Sequence, residues 1–130
     1  AKMTKKLLPL LLIALLPLCG CSKNAPPEVA SYAQEHWAQY APFLYDPAET
    51  QLFMTMHTTM DYETACARGG SVYSGELAPE SYLDTVRIVA LEIASACDLQ
   101  KLNVTMQCIS SDEKTVFTVS SDGTVWCCWN

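Results

Sequence analysis

Residues 102–129 constrain the fold more tightly than any other stretch. Leu102, Val104, Met106 and Cys108 alternate with Asn103, Thr105 and Gln107. That is the period of a strand with one buried and one wetter face. Ser110 to Lys114 reads as a turn and Thr115 to Ser120 as a second strand. Asp122-Gly123 is a strong short hairpin signal, and Thr124 to Trp129 forms a third strand. Two-residue loops at Asp112-Glu113 and Asp122-Gly123 set a register. Cys108 then falls opposite Phe117, and Phe117 opposite Cys128. Met106 falls opposite Val119, and Val119 opposite Trp126. One face collects Leu102, Val104, Met106, Cys108, Phe117, Val119, Trp126 and Cys128. The other collects Asn103, Thr105, Gln107, Thr118, Cys127 and Trp129, with Ile109, Val116 and Val125. The first face is nearly all apolar and requires a cover.

A cover is present in the sequence. Pro79-Glu80 opens a helix that runs to about Cys97, with Leu83, Val86, Val89, Ala90, Ile93, Ala94 and Cys97 on one stripe. Ile88 and Leu91 spread apolar character to a second side, so this helix is expected to be covered on more than one flank. Further upstream, Val29, Tyr32, Ala33, His36, Trp37 and Tyr40 recur at helical spacing between Pro26-Pro27 and Pro42. His36 on that stripe is expected to pack rather than to ligate. Residues 46–69 read two ways. Asp46-Pro47-Ala48-Glu49 and the Gly69-Gly70 stop favour a helix, while the threonines and "LFMTMHT" favour a strand. Residues 28–130 therefore predict a single α+β domain. Its amphipathic helices pack on a small antiparallel sheet ending in a three-stranded meander. The apolar second-face residues Val125 and Trp129 are expected to pack, under the first helix through Trp37, rather than to form a recognition patch.

The N-terminal segment carries a different message. Lys2, Lys5 and Lys6 precede an uncharged run from Leu7 to Cys19, broken by Pro9 and Pro17. Thirteen residues are too few to span a bilayer, which needs roughly 20. The run fits the apolar region of a secretory signal peptide, with Met3 as the expected start. It ends in Leu18-Cys19-Gly20-Cys21, which resembles the lipobox of bacterial prolipoproteins: Leu, a tolerant position, a small residue, then Cys. The resemblance covers residues 3–22. It implies that residues 1–20 are removed and that Cys21 carries a diacylglyceryl thioether. Residues 21–27 would then be a lipidated tether, and the membrane a partner through that anchor. The implied location is the bacterial cell envelope, on the outer side of the cytoplasmic membrane or in the periplasm. More than one acyl chain on one cysteine gives lasting attachment where a single chain does not.

After such cleavage five basic residues face 14 acids, a net charge of −9. A surface of that sign repels nucleic acid and anionic lipid alike, so the lipid alone is expected to hold the domain at the membrane. Five cysteines remain beyond Cys21: Cys66, Cys97, Cys108, Cys127 and Cys128. At most two disulfides can form among them. The meander puts Cys108 and Cys128 two strand spacings apart, about 9.6 Å, too far for a bridge. Cys97 could reach either one. A vicinal Cys127–Cys128 bridge would be strained.

Motif chemistry is sparse. Met54, Met56, His57 and Met60 are soft donors that suit copper(I), but neither strand nor helix gathers all four, and methionine as core filler explains them more simply. Cys66 with His57 would form a nucleophile and base only with a third orienting group, which no spacing supplies. "GSVYSG" at 70–75 lacks the spacing of a serine nucleophile motif. No zinc-ligand spacing is present. The reading is a cell-envelope lipoprotein with a small, non-enzymatic binding or scaffolding domain, needing no cofactor. A copper-handling lipoprotein and an exported thiol-dependent enzyme are the alternatives.

Overall fold

Where helix and strand signals compete, local chemistry decides the outcome. In a computed structural model, which describes residues 25–69 and 77–129, the ambiguous stretch splits into both forms. Asp46 does not cap a helix. Its side chain accepts a hydrogen bond from the Ala48 backbone at 3.0 Å and turns the chain between two strands. These are β1, Leu44–Asp46, and β2, Gln51–His57. The cap lies further on: Asp61 accepts from the Thr64 backbone at 2.7 Å and starts α2, Tyr62–Arg68. Gly69 ends α2 by donating its N–H to the Ala65 carbonyl.

The first helix, α1, runs Val29–His36, followed by a 3-10 turn at Ala38–Tyr40. Val29 and Ala33 are buried as the spacing predicts. His36 packs as expected, stacking on Tyr32 with ring centroids 4.1 Å apart, but it does so exposed rather than partly buried. Pro79–Tyr82 forms a 3-10 turn that leads into α3, Leu83–Ala96. Three strands follow: β3 Asn103–Ile109, β4 Thr115–Ser120 and β5 Val125–Cys127.

The domain is α+β, with three helices packed on one five-stranded sheet in the order β1-β2-β3-β4-β5. The meander β3-β4-β5 is antiparallel, and β1 pairs antiparallel with β2. The sheet is larger than the sequence suggested, and mixed, because β2 and β3 are parallel. A chain that leaves β2 through α2 and α3 returns in the same direction. The core lies between α3 and the sheet, where Val86, Val89 and Ile93 meet Leu52, Met54, Met106 and Phe117, all fully buried. Ile88 and Leu91 are 56% and 75% exposed, so the described residues cover α3 on one flank, not two. Glu92 clamps α1 to α3, accepting from Tyr32 Oη and Trp37 Nε1 at 3.1 Å each.

Both meander turns depart from the expected two-residue loops. Ser110 N donates to Lys114 O, and Ser120 N to Thr124 O, so each loop has three residues. Glu113 (φ 68°) and Gly123 (φ 95°) sit in the left-handed position that such loops require. In the first hairpin a bulge between Cys108 and Ile109 absorbs the extra residue, which restores Met106 opposite Val119 and Cys108 opposite Phe117 as predicted. The second hairpin has no compensating bulge. Its register slips by one, placing Phe117 opposite Cys127 and Val119 opposite Val125. A one-residue slip exchanges the faces of the whole strand. Val125 and Cys127 therefore turn inward, and Trp126, expected in the core, turns out.

Candidate binding face of the sheet

Directly paired residues share a face, so the register lays out the side of the sheet away from α3 row by row. One row runs Leu44, Phe53, Thr105, Ser120. The next runs Thr55, Gln107, Thr118, Trp126. The helices all pack on the opposite side. The α3 stripe meets the buried core, and α1 is clamped to α3. Next to α2, Gly69 abuts Trp129, which meets Phe117 edge-on at 6.4 Å. Trp126 is 47% exposed and Leu44 67% exposed on the open side.

The polar part of this face is preorganised. Asn103 Nδ2 donates to Gln51 Oε1 at 2.6 Å, and Gln51 Nε2 donates to Thr105 Oγ1 at 2.8 Å. Thr105 and Ser120 hydroxyls meet at 2.7 Å, and Ser121 Oγ donates to Asn103 Oδ1 at 2.8 Å. These bonds hold three strands in register and fix the amides in place. A shallow pocket of about 290 Å³ adjoins them, lined by Pro42, Phe43, Leu44, Phe53, Thr55 and Gln107. Thr55 Oγ1 ties the Pro42 carbonyl across at 3.0 Å. Thr105 and Ser120 are buried within this network, while Trp126, Gln107 and Thr118 at strand spacing in the next row can stack and hydrogen-bond.

The residues singled out from sequence are scattered. Cys21, the signal segment and the 70–75 motif lie outside the described residues. Met54 is fully buried on the core face, and Met56 and Met60 are partly buried against it. His57 is exposed at the end of β2 and points to the opposite side from Met56. The soft-donor set is not brought together. Among the described residues no group of three or more His, Cys, Asp or Glu side chains is placed to hold a metal ion. Cys66 is bonded to Cys128, with Cα atoms 5.6 Å apart, so its sulfur is not a thiolate nucleophile in this state. Cys128 does not bridge Cys108, but the register behind that expectation slipped, and its actual partner, Cys66, was not named from the sequence. Cys97, Cys108 and Cys127 are buried and take no part in a disulfide. Burial pushes Cys97 up from its ordinary pKa, and burial followed by the Glu80 charge does the same to Cys127. Trp129 packs as expected, but against Phe117 and Gly69 rather than under Trp37.

Sequence reasoning missed Trp126 and Leu44. The Ser-Asp-Gly triplet before Thr124 also fits a three-residue loop, and reading it so would have turned Trp126 outward. The chain matches no family model, no curated protein and no solved structure. Among the described residues no helix is long and apolar enough to cross a membrane.

Proposed function

We propose that this chain is a bacterial cell-envelope lipoprotein, anchored through Cys21, whose domain binds or scaffolds a partner on the open face of its sheet and carries out no reaction of its own. The observation that carries the binding role is Trp126: a large aromatic side chain, 47% exposed, beside Thr118 and Gln107. A partly exposed aromatic among polar side chains is the composition of recognition surfaces. The placement rests on the lipobox residues Leu18 to Cys21. The Cys66–Cys128 bridge supports it, because disulfides persist in oxidising compartments outside the cytoplasm.

Two measurements test the proposal. Intact-mass analysis of protein from the native host should find residues 1–20 gone and acyl mass on Cys21. An unmodified Cys21 with the leader attached refutes the anchor. Crosslinking in the native envelope should give a discrete adduct that Trp126→Ala removes and Leu91→Ala, a still more exposed apolar control on α3, does not. Equal loss in both variants, or in neither, refutes the face. Trp126→Ala should change stability by no more than about 0.5 kcal/mol, as for other exposed positions.

A further inference from the structure

The chain enters its domain beside an apolar groove of about 690 Å³. Pro26, Pro27 and Val29 line it together with Phe43, Leu44 and Pro47. Leu44 stands 67% exposed there, and Pro26, Pro27 and Pro47 are also exposed. Pro26 lies five positions after Cys21. Fully extended, those five steps reach about 18 Å at most. A lipid on Cys21 would therefore hold this groove within that distance of a bilayer, at high effective concentration.

We infer that the groove rests on the membrane surface, with Leu44 and Pro27 seated at headgroup level; this rests on the lipoprotein reading above. The lipid holds the domain and the groove orients it. Among the described residues the one charged side chain lining the groove is the acid Glu28, so the contact is mainly apolar and suits a zwitterionic surface rather than an anionic one. The orientation bears on the binding face. β1 lies at the membrane and the sheet rises from it, which lifts β5 and Trp126 by four strand spacings, about 19 Å. The recognition edge then stands clear of the headgroups.

The test supplies the anchor artificially, so it does not depend on natural lipidation. The chain from residue 21, with Cys21→Ser and an N-terminal hexahistidine tag, is bound to phosphatidylcholine vesicles containing a nickel-chelating lipid. Amide hydrogen exchange is compared between bound and free protein. The Val29 and Ala30 amides, in the first turn of α1, lack an intrahelical acceptor, and Tyr45 lies on an edge strand. A groove docked nine-tenths of the time slows exchange at these amides about tenfold. Leu44→Glu should restore the free rates while the circular dichroism spectrum stays unchanged. Unslowed exchange at Val29, Ala30 and Tyr45, slowing over Ile88–Leu91 instead, or indifference to Leu44→Glu overturns the docking. An unacylated Cys21 in the native protein would sink the anchor alone, and this result would stand apart from it.

Discussion

Asp112 joins two segments 50 residues apart. Its carboxylate accepts from the Ser110 hydroxyl and, at 2.8 Å, from the Tyr62 backbone N–H at the start of α2. The Ser110 hydrogen bond foremost, and then the Tyr62 N–H, hold its pKa below the ordinary value. Asp122 is held below its ordinary value by the Thr124 N–H in the same way. A depressed carboxylate stabilises the fold fully above its unfolded pKa of about 3.9, and this is lost as pH falls through the lower folded value. The melting temperature should therefore drop between about pH 4 and pH 2. Asp112→Asn should flatten that drop without abolishing it, since Asp122 still titrates. Thermal scans across the acid range measure both. At the same scale, Gly69 has no substitute, because an added Cβ would lie 1.9 Å from the Trp129 ring.

At the scale of elements, loop length controls which side chains reach the core. The two hairpins have equal loops, yet only the first has a bulge, and one of the two predicted registers survives. Gly123 holds the second loop at φ 95°, with its nearest neighbour outside the loop, Arg87 Nη2, 3.8 Å from a built Cβ. Space is not limiting there, but backbone conformation is. Gly123→Ala should cost about 1 kcal/mol or somewhat more, read from the shift in urea midpoint at unchanged slope. The same elements show how much was legible. The α3 stripe and the alternation of β3 were clear because each repeats its period over several turns or residues. Residues 46–69 were not, since Asp46-Pro47-Ala48-Glu49 resembles a helix start in sequence and acts as a strand turn in space. The polar amides of the open face were visible as the wetter alternation of β3. Their hydrogen bonds to Gln51 were not, because a parallel neighbour arrives from across a long helical connection.

For the whole molecule, the Cys66–Cys128 bridge links α2 to the residue that follows β5, across 62 positions of sequence. β5 is short and pairs on one edge only, so this link secures the end of the chain. Replacing both cysteines with alanine should lower stability by about 2–5 kcal/mol. Chemical denaturation checks the loss. Alkylation of the unfolded, unreduced domain should label Cys97, Cys108 and Cys127 and spare the bridged pair.

The sequence alone determined the α+β class, the principal covering helix, the meander and the inward alternation of β3, because periodicity follows from backbone geometry wherever the chain runs. The tertiary structure decided the parallel β2–β3 pairing, the disulfide partner of Cys66 and the outward turn of Trp126. Each depends on segments distant in sequence or on a single residue of loop length. The physical reason is that parallel pairing and cysteine proximity join residues remote in sequence, while a hairpin register turns on one residue of loop length, which alternation alone does not fix.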